Sequence, residues 1–284
     1  MLKRDFITKY IHIKYTKYLF PKFRTKLLNF YAYKKNFDWT RYYKKVEFNE
    51  AINNKKKSDT IFIFGSGWSV NNINKSQWDK MSNHNTLSFN WFIYQSFIRI
   101  DYHLVRGTFY YVRKLSDALS VNRLYSDLIS SNKFYNDTNL FIQEGKTALA
   151  GNLILGVKML PKRYSICRFK TKSKGIYEIP SNNFNNGLVH GPSTLVDTIN
   201  LAILGGWKKI VLVGVDLYNT SYFWLKKNNS GHYANEEKKN HSTVYNGVIE
   251  YLTRWNKQVR KEKKEIFVLN KDSLLAKNLK VFKL

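Results

Sequence analysis

The sequence contains a single cysteine, Cys167, and therefore cannot form a disulfide within the chain. So low a cysteine content in 284 residues fits a reducing compartment. No apolar run approaches the ~20 residues that a membrane-spanning helix needs. The amino terminus also lacks the continuous apolar core of a signal peptide, because Lys3, Arg4 and Lys9 interrupt it. These absences predict a cytoplasmic protein that does not cross a membrane.

Acidic residues are scarce: 20 Asp and Glu stand against 48 Lys and Arg, which gives a formal net charge of +28. Such an excess predicts anionic partners, namely nucleic acid, an anionic membrane surface or acidic substrates. The many lysines and asparagines are also typical of a low-GC genome, so the charge alone does not indicate nucleic-acid binding. No Asp-x-Asp pattern occurs to hold a metal ion. We therefore expect no obligatory metal or other cofactor.

The first 58 residues hold 16 basic and 4 acidic residues, with aromatic side chains between them. Basic residues mixed with aromatic ones suit the headgroup layer of an anionic membrane. We expect residues 1–58 to attach the protein to the inner face of the cytoplasmic membrane. The alternative is a basic arm that packs on the main domain. Lys55-Lys56-Lys57-Ser58 is typical of a solvated linker, so the main domain is expected at 59–284.

The central motif of the chain begins with an apolar run from Ile61 to Phe64, short and β-rich enough to be a buried strand. Gly65-Ser66-Gly67 follows directly. Two glycines two positions apart let the backbone turn sharply and let a ligand approach it closely. The full dinucleotide-binding fingerprint is absent, because no glycine stands three residues after Gly67. The motif predicts either a ligand-binding turn at a strand end or a tight turn alone.

A second pattern, a helix followed by glycines and a strand, occupies residues 191–218. Apolar residues recur every four positions from Leu195 to Ile203, and Gly205-Gly206 ends that helix. Strands and helices alternate along most of the chain, but the pattern blurs over 132–190, which could be an inserted lid or subdomain. We predict an α/β fold, with a Rossmann-like, mostly parallel sheet flanked by helices. The glycine turn and the start of this helix should line one cleft.

Four short motifs follow one another along residues 59–284. They are Gly65-Ser66-Gly67-Trp68-Ser69, Phe89-Asn90, the segment from Ser193-Thr194 to Asp216-Leu217-Tyr218, and Asn270-Lys271-Asp272-Ser273-Leu274-Leu275-Ala276. In this order and spacing they resemble the family 42 bacterial sialyltransferases, the group that includes the enzymes building sialylated lipooligosaccharide in Campylobacter. The resemblance implies a glycosyltransferase with a GT-A-variant, Rossmann-like domain, a lid, and a CMP-activated sialic acid as donor.

The resemblance also implies roles for individual residues. His232 would be the general base, a task for which histidine is suited near neutral pH. Tyr218 and Tyr222 would hydrogen-bond the departing phosphate, since tyrosine hydroxyls can stabilise the growing charge. The donor would be bound by Gly65, Ser66, Gly67, Asn90, Ser193 and Thr194.

Other interpretations of these residues stay open. His241 is an alternative base, and His190 could approach the donor because it directly precedes the Gly-Pro-Ser-Thr turn. Ser193 and Thr194 could be only helix caps. Likewise, Tyr218 could simply close a strand, and Asp216 could cap a loop instead of touching substrate.

The chain also departs from the sialyltransferase pattern. It has Ser66 in place of an asparagine and Trp68 in place of a proline, and it lacks the arginine expected before the Thr-Ser pair. The transferred sugar is therefore left open among sialic acid, Kdo, legionaminic acid and pseudaminic acid. The acceptor is expected to be a cell-surface glycan or glycolipid, such as lipooligosaccharide or capsule, and a homo-oligomer is possible.

Two other classes of protein compete with this hypothesis. One is another nucleotide-using enzyme on the same scaffold, such as a pyrophosphokinase-like protein, which would need carboxylates for Mg²⁺. The other is a non-catalytic basic protein that binds nucleic acid or membrane through residues 1–58. No exposed aromatic motif for RNA is visible in the sequence, so we expect no nucleic-acid partner.

Overall fold

The computed structural model describes residues 21–106, 115–145, 148–173, 178–218, 221–225 and 241–284. The strands are β1 (Lys44–Lys45), β2 (Thr60–Phe64), β3 (Asn85–Phe89), β4 (Tyr102–Val105), β5 (Asn139–Gln143), β6 (Ser165–Phe169), β7 (Thr171–Ser173), β8 (Leu188–His190), β9 (Lys209–Val213), β10 (Glu265–Val268) and β11 (Lys280–Val281). The α-helices are α1 (Pro21–Lys35), α2 (Phe48–Asn53), α3 (Lys75–Ser82), α4 (Leu115–Ser131), α5 (Leu149–Gly156), α6 (Thr194–Leu204), α7 (Ser242–Tyr245) and α8 (Val248–Arg260).

Nine of the described strands form one sheet in the order β1-β6-β5-β4-β3-β2-β9-β10-β11, and every pair in it is parallel. Strands β7 and β8 form a separate parallel pair. From β2 the chain builds the sheet outward through β3, β4, β5 and β6, whereas β9 joins on the other side of β2. The strand order therefore reverses between β2 and β9, and the carboxyl ends of strands at such a switch point are where open α/β sheets bind ligands.

Each face of the sheet carries its own apolar core. Along β2 all five residues are buried, as expected for a central parallel strand covered on both faces. Ile61 and Ile63 face the core that contains Ile199 of α6, while Phe62 and Phe64 face the core that contains Trp78 of α3. The predicted α/β class, with helices on both sides of a parallel sheet, is confirmed.

The segment before residue 59 is part of this architecture from Asn29 onward. Helix α5 packs against α1 and the turn that follows it. In this buried contact, the Asn152 side chain accepts from Asn36 Nδ2 at 2.7 Å and donates to Asn29 Oδ1 at 2.7 Å. Strand β1 pairs with β6 at the sheet edge, and Ile52 of α2 is 3% exposed. The boundary expected at 58/59 therefore does not separate two units, since a parallel edge strand and its helix need the sheet to bury them. Residues 1–20 lie outside the described residues, and no helix in the described part is long and apolar enough to cross a membrane.

The lysine run before residue 59 was expected to be a solvated linker. In the structure, two of its lysines instead contact specific groups at the end of the sheet where the strands begin. Lys57 Nζ lies 2.9 Å from the carboxylate of Asp101, whose side chain is 2% exposed. Lys56 donates to the carbonyl of Gly205 at 3.0 Å and lies over the ring of Trp207. A buried carboxylate needs such a counter-ion, so the run is anchored by specific partners.

The region where the sequence pattern blurs supplies two strands of the main sheet, β5 and β6, and the separate β7–β8 pair. The sequence pattern predicts one helix from about 244 to 261, but the structure divides this stretch into α7 and α8 at Gly247, whose φ is 79°. Left-handed backbone of this kind ends one helix and redirects the chain into the next. The apolar run Ile266-Phe267-Val268-Leu269 predicts a last strand, which is present as β10, and the short β11 pairs with its outer edge.

Candidate active site

A cavity of about 450 Å³ lies at the carboxyl ends of β2, β3, β4 and β9, beside the amino-terminal end of α6. All six positions predicted for donor binding line it: Gly65, Ser66, Gly67, Asn90, Ser193 and Thr194. They come from three separate segments of the chain, which the fold brings together at the switch point. The expectation that the glycine turn and the start of α6 share one cleft is confirmed.

The glycines of the turn allow two strand ends to run close together. Gly65 donates its N–H to the Val213 carbonyl at 2.8 Å, and Gly67 donates to the Gly214 carbonyl at 2.7 Å. A Cβ on Gly67 would lie 2.5 Å from the Asp216 carboxylate. The space predicted for a closely approaching ligand is therefore filled in part by the end of β9.

Asp216 connects two loops of the site through hydrogen bonds. Its buried carboxylate accepts from the Ser69 N–H at 2.8 Å and from Asn270 Nδ2 at 3.0 Å, and it also bonds the Ser69 hydroxyl. These bonds tie the turn after β2 to the segment after β10. Of the two interpretations left open for Asp216, the structure favours the capping role, although the residue also contributes to the lining.

Two non-glycine residues in the lining have left-handed backbone. Asn90, directly after β3, has φ 51°, and Leu217, shortly after β9, has φ 67°. Asparagine tolerates this region, but for leucine it costs roughly 1–2 kcal/mol. Such strain persists where the surrounding structure enforces it, and it is concentrated at binding sites.

The start of α6 presents polar groups to the cavity. Ser193 stands at the N-cap position, but its side chain makes no capping hydrogen bond. Its hydroxyl oxygen is buried without a hydrogen-bond partner among the described residues. A buried hydroxyl in this position is costly unless a ligand satisfies it, and free N–H groups at a helix start favour anions.

Of the two tyrosines predicted to contact the phosphate, one lines the cavity and the other does not. Tyr222 lines the cavity, bridges to Gly67 in an antiparallel pairing, and stacks on Trp224 with ring centroids 4.7 Å apart. Tyr218 does not line it. Burial, followed by the nearby Asp216 charge, raises the pKa of Tyr218, and its hydroxyl hydrogen-bonds Asn270.

Of the two predicted bases, His232 lies outside the described residues and its role stays a prediction. His241 lines the cavity and caps α7, and its Nδ1 accepts from the Thr243 N–H at 3.3 Å. Burial lowers the pKa of His241 and favours the neutral ring. With Nδ1 accepting, the neutral ring carries its proton on Nε2 and is a hydrogen-bond donor there.

His190 belongs to a charged network on the cavity wall. Its Nδ1 lies 2.9 Å from Asp197 Oδ2, and Arg106 lies 3.6 Å from the same oxygen. The side chain of Asp197 is fully buried, while those of His190 and Arg106 are 22% and 16% exposed and line the cavity. The possibility that His190 approaches the donor is consistent with this position.

Sequence reasoning missed Arg106, Trp91 and Trp224, which also line the cavity. Arg106 directly follows β4, so the rule that ligands gather at strand carboxyl ends could have identified it. Trp224 lies on the short segment that pairs with the glycine turn, and no local pattern marks it. Among the described residues, no group of three or more His, Cys, Asp or Glu could hold a metal ion.

Comparison with known proteins gives similarity to solved structures only. No protein-family model and no curated protein matches the chain. The monofunctional α-2,3-sialyltransferase Cst-I from Campylobacter jejuni is 17% identical, with a TM-score of 0.47, over 80% of this chain and 81% of that one. The sialyltransferase CstII from Campylobacter jejuni, in complex with the substrate analogue cytidine-5′-monophosphate, is 13% identical, with a TM-score of 0.39, over 78% of this chain and 84% of that one.

Proposed function

We propose that this protein is an inverting glycosyltransferase that moves sialic acid or a related acidic sugar from a CMP-activated donor to a hydroxyl of a cell-surface glycan. The observation that carries this proposal is the cavity at the switch point, because it unites all six residues predicted to bind such a donor. Its volume of about 450 Å³ is within the range of small-molecule sites.

The polar groups of the cavity suit an anionic nucleotide. The start of α6 supplies N–H groups and the Ser193 hydroxyl, and Tyr222, which also lines the cavity, supplies a phenolic hydroxyl. Donors aimed at a phosphate stabilise the charge that grows on it when the bond to the sugar breaks. CMP leaves with a single phosphate, so the reaction needs no metal, and we propose that none is required.

The acceptor hydroxyl must lose a proton as it attacks. His232 is proposed as the group that takes it, with His241 as the alternative. In the described geometry Nε2 of neutral His241 is a donor, so a base role for His241 would require the ring to change tautomer. Tyr218 would have to leave its hydrogen bond with Asn270 to reach the phosphate.

The proposed acceptor is a glycan or glycolipid, and the basic, aromatic amino-terminal segment is proposed to hold the enzyme at an anionic membrane surface. Lysine and arginine side chains near such a surface are worth about 1 kcal/mol each. The protein would then act as a peripheral enzyme on the cytoplasmic side, in lipooligosaccharide or capsule synthesis.

Thermal unfolding with CMP, CDP, UDP, GDP and ATP tests the donor class. A ligand at 100 times its Kd stabilises the folded state by about 2.7 kcal/mol, so CMP should raise the melting temperature most. The Ser193→Ala variant should reduce that rise, whereas Ser82→Ala, an exposed serine at the end of α3, should not. A larger rise with ATP or GDP would favour the pyrophosphokinase-like alternative. No rise with any nucleotide would favour a non-catalytic basic protein.

A further inference from the structure

Positive charge is abundant in this chain, but among the described residues it is almost absent from the cavity. Of the 48 Lys and Arg residues, Arg106 is the one that contributes to the described lining. His190 lies beside it, joined through Asp197. The described residues that could offer a charged hydrogen bond to a phosphate in this cavity therefore lie together, around Asp197.

Asp197 sets the direction of the His190 ring. A carboxylate only accepts hydrogen bonds, so at 2.9 Å the Nδ1 of His190 must be the donor. Nε2, on the opposite side of the ring, then faces away from α6, and the ring lines the cavity. When Nε2 is also protonated, the imidazolium presents an N–H to the cavity, and a bound anion stabilises that form.

The network is held in place by packing as well as charge. Asp197 lies in the first turn of α6 and its side chain is fully buried. Behind it, Gly191 packs against Tyr251, where an added Cβ would lie 3.1 Å from the ring. Burial raises the pKa of Tyr251 to about 12, so this hydroxyl stays neutral beside Asp197. Removing either partner would leave the buried Asp197 carboxylate poorly compensated, which would be strongly destabilising.

We propose that His190 and Arg106 bind the phosphate of the CMP donor, with Asp197 as the positioning residue, an assignment that rests on the proposed function. When the bond between the sugar carbon and the phosphate oxygen breaks, the electron pair stays on that oxygen. His190 and Arg106 stabilise it through charge-assisted hydrogen bonds. The proton of the acceptor hydroxyl goes to the separate base. The two residues thus supply charged donors to the cavity, which Tyr222 also lines and Tyr218 does not.

The experiment compares the binding of CMP and cytidine by isothermal titration calorimetry. Cytidine lacks the phosphate, so the ratio of the two affinities isolates the phosphate contacts. His190→Gln should lower CMP affinity by about 10- to 100-fold and leave cytidine affinity unchanged, because one hydrogen bond to a charged group is lost. His84→Gln is the matched control: His84 bonds Ser58 at the opposite end of the sheet and should change neither affinity.

Asp197→Asn should lower the same ratio if the variant folds, because the amide lacks the negative charge that pairs with the imidazolium form of His190 and with Arg106. His190→Asn is a second test at the ring itself, should the glutamine variant not fold. An unchanged CMP-to-cytidine ratio in a folded His190 variant would overturn this assignment and leave the proposed function standing. Wild-type protein that binds neither compound would overturn both.

Discussion

At the scale of single residues, hydrogen-bond partners separate histidines that the sequence cannot rank. His241 accepts a backbone N–H at Nδ1, whereas His190 donates from Nδ1 to a buried carboxylate. The Nε2 atoms of the two neutral rings therefore differ in whether they donate or accept a hydrogen bond, although both rings line the same cavity. The sequence places each histidine near a motif, but it does not show which side chain or backbone group contacts the ring and so decides the tautomer.

His232→Ala should lower kcat by about 10²–10⁴-fold, the usual contribution of a general base. CMP affinity should change little, because the base faces the acceptor. Steady-state kinetics with a CMP-sugar, beside calorimetric CMP binding, measures both. If His232→Ala keeps near-normal turnover and His241→Ala does not, the base is His241. If neither substitution matters, the sialyltransferase-like mechanism is wrong.

Tyr222→Phe should lower kcat/KM by an amount equivalent to about 1–3 kcal/mol, because it removes a hydroxyl from the cavity wall. Tyr218→Phe should cost less, since its hydroxyl bonds Asn270 and the residue does not line the cavity. The two variants serve as controls for each other. An equal or larger loss in Tyr218→Phe would mean that Tyr218 turns toward the donor during the reaction.

At the scale of elements, long apolar strands were predictable and short or charged ones were not. Strands β2 and β9 consist mostly of apolar residues, and the sequence predicted a strand at each place, β2 directly before Gly65 and β9 after Gly205-Gly206. In β6, Arg168 interrupts the pattern, and tertiary contacts explain how it fits a sheet, since it lies 3.3 Å from Glu144 and over the ring of Trp39. The division of α7 from α8 at Gly247 was also missed, because a glycine inside a helical pattern does not reveal its φ.

Strand β4 carries a buried histidine that should make stability depend on pH. His103 bonds Ser88 at 2.7 Å and also bonds Tyr125, and complete burial lowers its pKa to about 3. The unfolded chain binds a proton near pH 6.5 while the folded chain does not. This contribution to stability is therefore present above about pH 6.5 and is lost as the pH falls toward 3, by about 1.4 kcal/mol per pH unit.

Denaturant unfolding of the wild type and of His103→Gln between pH 7 and pH 5 checks this dependence. Glutamine can hydrogen-bond but does not titrate in this range, so the variant should lose less stability than the wild type across the two units. Both proteins contain the same carboxylates, so the pH dependence of stability that these groups cause is common to both and does not affect the difference between them. Parallel curves for the two proteins would show that His103 is protonated in the folded state or is not the group responsible.

At the scale of the whole molecule, most of the amino-terminal region belongs to the fold. Composition identified residues 1–58 as unusually basic, but composition cannot tell a membrane-facing arm from a packed one. The structure places Tyr43, Val46 and Ile52 in the cores. Burying such side chains is worth about 1.5–3 kcal/mol each, so their removal would cost a large part of a domain's stability.

A chain that starts at Pro21 should keep donor turnover and lose much of its binding to anionic liposomes. A chain that starts at Asp59 should unfold or aggregate, because it lacks β1 and α2. Cosedimentation with phosphatidylglycerol vesicles, at low and at high salt, measures the attachment. If the chain from Pro21 binds as strongly as the full chain, residues 1–20 are not the membrane contact.

On the proposed function, the cavity at the carboxyl ends of β2, β3, β4 and β9 binds a CMP-activated acidic sugar, which the enzyme transfers. Release of CMP from CMP-linked sialic acid, Kdo, legionaminic acid and pseudaminic acid, with UDP- and GDP-sugars as controls, tests it most directly. We expect CMP release from at least one of these donors, no reaction with the controls, and a large loss in Ser193→Ala but not in Ser82→Ala. Turnover of a UDP- or GDP-sugar, or CMP release unaffected by Ser193→Ala, would contradict it.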